Sequence, residues 1–348
     1  MQMIYTDCSK LFCAPLHTVQ RNARGSARMH DDDLIYIAET DSDLPRHWLS
    51  GSLKYGRFRP LGEGGMSIIQ RCYDKNLKRD VAYKTLRPEY RDSEQANRRF
   101  LREARVTAKI SHPGTVPLYE IGRDRSGNLY FTMKLLVGRD LDQIFAKLVE
   151  ECPETTQDFP IPRLIDILIQ VGQTVSYAHA HGVIHRDLKP ANILIGEFGE
   201  VTVLDWGLAK VHGDEGNDVR SSAKMTDAGL TQPGKRYGTP LYMSPEQARG
   251  DSGIDEGTDI YNIGSMFYEA LTLQPLVKRG EIEDVVAQVL LKRPEKPSRA
   301  APQRDIPTDL DRICLKALAF ERKKRFKTLP DLVDSLQAYR LHGSLPAE

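Results

Sequence analysis

The hydrophobic period of this chain changes once, near Gly138, and that change limits the fold more than any other feature. From Tyr55 to Leu136, short runs rich in Val, Ile and Tyr alternate with turns: YGRFRPLG, MSIIQRCYD, RDVAYKTL, VPLYEIG and LYFTMKLL, the last two flanking RDRSGN. Runs of this length bounded by Gly, Asp and Asn predict strands joined by tight connections, hence a small antiparallel sheet. A single interruption, SEQANRRFLREARVTAKI, places Phe100, Ala104 and Ala108 on one helical stripe behind Ser93, a residue suited to capping a helix start. Beyond Gly138 the spacing turns helical. RLIDILIQVGQTVSYAHAHG repeats apolar residues at Leu164, Leu168, Val171, Val175 and Ala178 and stops at Gly182, while LPDLVDSLQAYR does the same at Leu329, Leu332, Leu336 and Tyr339.

Strands first and helices afterwards predict an α+β chain in two lobes. The boundaries fall at about 54–135 for a small sheet lobe and about 136–341 for a larger, mostly helical one, with 342–348 as a tail. Residues 1–53 hold no sustained period and pass from basic to acidic within QRNARGSARMHDDDLIYIAETDSDLPRH, which reads as a flexible extension; Met29 is an alternative start. The polar, Gly-rich stretch VHGDEGNDVRSSAKMTDAGLTQPGKRYG is too long for an inert turn.

Composition narrows the function classes. Lys plus Arg number 49 against 48 Asp plus Glu, so the net charge of +1 offers no bulk field for nucleic acid or a membrane surface. Five scattered Cys argue against a disulfide framework or a structural zinc site and fit a reducing cytoplasm. No apolar run reaches membrane-spanning length, and the first residues lack a secretory pattern.

Several stretches carry chemistry. LGEGGMSII supplies Gly62 and Gly64 after a strand, where backbone N–H groups can approach phosphate oxygens; alone, it reads equally well as a hairpin turn. VAYK puts Ala82 and Lys84 on one strand face, leaving room for a flat ring beside a phosphate-seeking ammonium. Glu103, in the middle of the sheet lobe's helix, can pair with Lys84 and hold it in register. In VIHRDLKPANILI, Asp187 can accept a hydroxyl proton, Lys189 can neutralise a transferring phosphoryl group, and Asn192 offers a carbonyl oxygen to a hard cation. VTVLDWG then brings Asp205, a carboxylate able to chelate Mg2+ between phosphate oxygens.

The ordered series LGEGGMS, VAYK, HRDLKPAN, DWG, GTPLYMSPE and TDIYNIG, running from about Tyr55 to Tyr339, resembles the eukaryotic-like (Hanks-type) serine/threonine protein kinases, and YMSPEQARG and VLDWGLAK resemble the bacterial branch most. The resemblance implies the two-lobed protein kinase fold and transfer of the ATP γ-phosphoryl group to Ser or Thr hydroxyls of protein substrates, with Mg2+ as the cation and Mn2+ as a substitute. It makes Lys84, Glu103, Asp187 and Lys189 catalytic and Asn192 and Asp205 metal ligands. Nucleotide contacts fall to Gly62, Gly64, Ser67, Ile69, Ala82, Lys84, Met133, Leu135 and Leu194: Ile69 and Ala82 roof the adenine, Leu194 floors it, Met133 is the gatekeeper, and Lys134 to Leu136 form the hinge.

Further roles follow from the same resemblance. Glu246 pairs with Arg325, and Asp259 receives hydrogen bonds from the His185–Arg186 turn. Thr239 faces the acceptor channel; Thr231, Thr226, Ser221 and Ser222 are candidate phosphosites, with Thr231 first, through autophosphorylation between self-associating copies. Ser67 stands in place of a Gly, Trp206 in place of Phe, and Lys134 in place of an acid, and none of these removes a catalytic group. Against a scaffold that binds nucleotide without transferring phosphate stand Lys84, Glu103, Asp187, Asn192 and Asp205; against a small-molecule kinase stands the peptide-docking segment GTPLYMSPE.

Overall fold

The structure, a computed structural model, describes residues 49–63, 65–211, 240–251, 254–291 and 293–344. Thr231, Thr226, Ser221, Ser222, Thr239 and Gly64 lie outside the described residues.

Five antiparallel strands form the first lobe: β1 (Tyr55–Glu63), β2 (Ser67–Asp74), β3 (Arg79–Leu86), β4 (Leu118–Arg123) and β5 (Leu129–Lys134), in the order β1-β2-β3-β5-β4. Alternation along β3 sends Ala82, Lys84 and Leu86 to one face and Val81 and Tyr83 to the other. The Tyr83 face buries a cluster of Tyr55, Cys72, Val81, Tyr83 and Tyr130, in which the Tyr83 and Tyr130 rings stack at 4.6 Å. Leu49 exchanges hydrogen bonds with the Asn76 side chain, which ties the segment ahead of β1 to the β2–β3 turn.

Helix α1 (Glu94–Lys109) packs on the opposite face of the sheet. Ser93 caps it by accepting from the Ala96 N–H at 3.2 Å. The buried stripe is Ala96, Phe100 and Ala104 rather than a run on to Ala108, which is exposed. By that turn the helix has left the sheet, and Val106, on another face, is buried in the core of the larger lobe.

The larger lobe holds short strands and nine helices among the described residues. A three-stranded sheet joins β6 (Gly138–Asp140), β8 (Ile193–Gly196) and β9 (Val201–Val203), and β7 (Val183–Ile184) pairs with β10 (Lys210–Val211). The helices are α2 (Leu141–Val149), α3 (Pro153–Asp158), α4 (Ile161–Ala180), α5 (Pro245–Arg249), α6 (Gly257–Thr272), α7 (Ile282–Leu291), α8 (Pro297–Ala300), α9 (Thr308–Ala317) and α10 (Leu329–His342). The apolar stripe of α4 is buried as its spacing predicts, and the chain leaves the helix through Gly182 at φ 70°, a left-handed turn that glycine adopts without strain. Every residue of α6 from Thr258 to Thr272 is buried, which makes it the central strut of the lobe. No helix among the described residues is long and apolar enough to cross a membrane.

Candidate active site

The sheet register brings the nucleotide-side residues together. Ile69 lies opposite Lys84 across β2 and β3, Ala82 lies opposite Met133 across β3 and β5, and all four share the sheet face that carries α1. Gly62 pairs with Ile69 near the end of β1, and Ser67 opens β2. Leu135 follows β5 directly, and Leu194 sits half-buried on β8 in the other lobe.

Lys84 donates to Glu103 Oε1 at 2.5 Å, joining β3 to α1, with both side chains largely shielded from water. Burial works against the charge on Lys84, but the carboxylates of Glu103 and Asp205 outweigh it and hold the ammonium above its ordinary range. For Asp205, burial is likewise overcome, by Lys84 above all and by the Gly207 N–H, so its carboxyl lies below the usual range. One ammonium thus faces two carboxylates, and the excess of negative charge suits a bound cation.

The second lobe presents the rest of the site on the turn between β7 and β8. Lys189 Nζ lies 2.6 Å from Asp187 Oδ2. Asn192 spends its side-chain N–H on the Asp187 carbonyl at 2.9 Å, and its side-chain oxygen accepts no hydrogen bond among the described residues. The Asn192 carbonyl receives the Leu204 N–H at 2.8 Å, so Asn192 and Asp205 adjoin. Asp205 is closely surrounded by protein yet still presents part of its surface to solvent. No cluster of three or more His, Cys, Asp or Glu among the described residues makes a metal site unaided. Asn192 and Asp205 could together hold a divalent cation, which would need further oxygen ligands from outside the protein.

The turn that carries Asp187 is strained and anchored from below. Arg186 and Asp205 adopt φ values of 69° and 58°, left-handed conformations that such residues hold only when their surroundings impose them. Asp259 on α6 supplies the constraint, accepting the backbone N–H groups of His185 and Arg186 at 2.9 and 2.8 Å. Two further anchors escaped the sequence: Gln247 donates to the Arg186 carbonyl at 2.6 Å, and the His179 ring meets Asp259 at 2.7 Å. Neither has a local signal, because each partner lies 61 or 80 residues away. Trp206 is buried in the larger lobe against the His185 ring, 4.6 Å between centroids, and its indole N–H has no hydrogen-bond partner among the described residues.

A family model described as protein kinase domain matches residues 55–335. The serine/threonine-protein kinase PknD of Protochlamydia amoebophila is 35% identical over 295 residues, which cover 82% of this chain and 30% of that protein. The PknD of Chlamydia felis is 36% identical over 300 residues, covering 84% of this chain and 31% of that protein. The chain therefore spans under a third of the length of these curated relatives. With the match running through both lobes and every signature stretch, the chain belongs to the protein kinase domain family.

Proposed function

We propose that this chain is a serine/threonine protein kinase that transfers the γ-phosphoryl group of ATP to Ser or Thr hydroxyls of protein substrates. Protein kinase domains use ATP with a divalent metal, and we take Mg2+ as that metal, with Mn2+ as a substitute. The observation that carries the reading is the intact Lys84–Glu103 pair facing Asp205, with the Asp187–Lys189 pair on the adjoining turn.

Lys84 orients the phosphates from the sheet side, and Glu103 fixes where its ammonium sits. Asn192 and Asp205 would hold the cation, which when bound supplies charge neutralisation at the phosphate oxygens. Asp187 orients the acceptor hydroxyl and takes its proton as the oxygen–phosphorus bond forms. Lys189 stabilises the negative charge carried by the phosphoryl group in transit. Ile69, Ala82, Met133, Leu135 and Leu194 enclose the base. Gly62, Gly64 and Ser67 give the phosphates a loop free of bulky side chains.

Thr239 beside the acceptor, and control by autophosphorylation at Thr231, Thr226, Ser221 or Ser222 between self-associating copies, belong to the same reading; Arg186, next to Asp187, is the suited receptor for such a phosphate. The free, buried Cys72 and Cys314 fit a cytoplasmic setting. Labelled ATP and Mg2+ with a generic basic protein, followed by phosphoamino-acid analysis and mass spectrometry of the chain itself, test the reading. Label on Ser and Thr, including Thr231, is expected; label on Tyr alone, or an active chain free of phosphate, contradicts the acceptor class or the control respectively.

A further inference from the structure

A surface groove in the larger lobe takes no part in holding nucleotide, cation or acceptor hydroxyl. It runs between α7 and the loop Lys278–Gly280, has a volume of about 450 Å³, and is lined by Lys278, Arg279, Asp284, Ala287, Gln288 and Leu291 beside Gly280. Helix α7 turns Val285 and Val289 into the core, so Asp284, Ala287 and Leu291, spaced three and four residues apart, fall on the outer face. The Gln288 side chain holds the loop to the helix, accepting the Lys278 N–H at 2.9 Å and donating to the Lys278 carbonyl at 3.1 Å. The groove therefore stands ready before anything enters it, which spares an occupant part of the ordering cost.

A single exposed leucine is ordinary on a protein surface. Leu291, 81% exposed, differs because with Ala287 it forms an apolar wall that shares the groove with cations. Lys278 and Arg279 are both exposed, and neither makes an ion pair among the described residues. Together they outnumber Asp284, the one carboxylate in the lining. An aliphatic side chain laid on Ala287 and Leu291, with carboxylates reaching Lys278 and Arg279, satisfies both halves of the groove. Its place in the fold says which chain brings them. Helix α7 packs on the Pro240–Tyr242 turn of the peptide-docking segment GTPLYMSPE, and the charge of Arg279 acts on Tyr242 and Glu269. A protein seated on that segment has the groove as its next surface.

We propose that the α7 groove docks protein substrates through a segment, separate from the acceptor Ser or Thr, that pairs aliphatic side chains with neighbouring acids. This rests on the reading of the chain as a protein kinase. Docking of this kind raises the effective concentration of the acceptor at Asp187, so it lowers KM for the protein substrate and leaves kcat and KM for ATP alone. The cations are exposed, so the gain shrinks with added salt.

Two peptides test this on the full chain. Both carry one acceptor sequence mapped on the generic basic protein and a flexible Gly/Ser linker; one ends in Glu-Leu-Glu-Glu-Leu-Glu, the other in the same tail with Gln for Glu and Ser for Leu. A KM about tenfold lower for the acidic, aliphatic tail is expected. Leu291→Ser or Lys278→Glu, each at an exposed position, is expected to erase that gain while KM for the Gln/Ser peptide stays at its wild-type value. Fluorescence anisotropy of the labelled acidic tail alone, on Asp187→Asn chain, reads docking without turnover, and both groove substitutions are expected to weaken it. Equal KM for the two peptides, or a gain and a binding signal indifferent to both substitutions, overturns the proposal. A tail that binds through Leu291 and Lys278 to a chain that phosphorylates neither peptide counts against the kinase reading alone.

Discussion

Arg325 and Glu246 close a bidentate ion pair at 2.7 and 2.8 Å in which neither side chain exposes any surface. Glu246 also accepts from Thr258 at 2.9 Å, and Arg325 donates to the Gly257 carbonyl at 2.7 Å, so the pair pins α5 to the start of α6, the helix that carries Asp259. Removing one partner leaves the other charge buried and unpaired. Glu246→Ala is expected to cost about 3 to 5 kcal/mol in urea unfolding, and its loss of activity reports on folding rather than on chemistry.

The same pair sets an acid limit. Burial pushes the Glu246 carboxyl up, but the Arg325 guanidinium outweighs it and brings the group from 4.5 down to about 2. A carboxyl lowered in the folded state contributes stability that is complete above its unfolded value and lost as pH falls through the folded one. The loss amounts to about 3 kcal/mol across that window. Urea midpoints measured from pH 5 downward are expected to fall more steeply for wild type than for Glu246→Gln; parallel slopes would show that the pair does not set the limit.

Lys84→Met removes the ammonium and leaves Glu103 beside Asp205 without its partner. A drop in kcat of about 10^2 to 10^3 is expected, the range seen when one preorganised charge donor is lost, with circular dichroism unchanged. Wild-type turnover in Lys84→Met would remove Lys84 from the chemistry.

Asp205→Asn is expected to keep the fold and abolish the difference in ATP affinity measured with Mg2+ and with a chelator. A difference that survives would place the cation elsewhere.

Gln247→Ala frees the Arg186 carbonyl from its 2.6 Å hydrogen bond. It also takes the acceptor from the Ser244 N–H and from the Asn262 side chain, so at about 1 kcal/mol for each hydrogen bond lost the variant gives up more stability than the one bond, and a fall in kcat without a change in KM for ATP is expected, because the turn and not the nucleotide is disturbed. An unchanged kcat would show that Asp259 alone suffices.

What the sequence discloses and what it conceals follow the distance over which each feature is determined. The Ser93 cap and the stripe of α4 are local and legible, because a few neighbouring residues decide them. Ala108 misleads: periodicity continues to the end of α1, but the sheet beneath does not. Lys84 and Glu103, 19 residues apart, are legible as a pair once a strand and a helix are placed. Glu246 and Arg325 lie 79 residues apart and emerge only through family resemblance, while His179 and Gln247 emerge from neither, since their partners are set by how α4, α5 and α6 pack.

The central claim is that Asp187 serves phosphoryl transfer. The direct measurement is the rate at which label passes from γ-labelled ATP to protein Ser or Thr, for wild type and Asp187→Asn at equal nucleotide occupancy. The account predicts transfer by wild type and a loss of about 10^2-fold or more in the variant, in line with removal of a general base. No transfer by wild type with nucleotide bound, or equal rates in the two proteins, would contradict it.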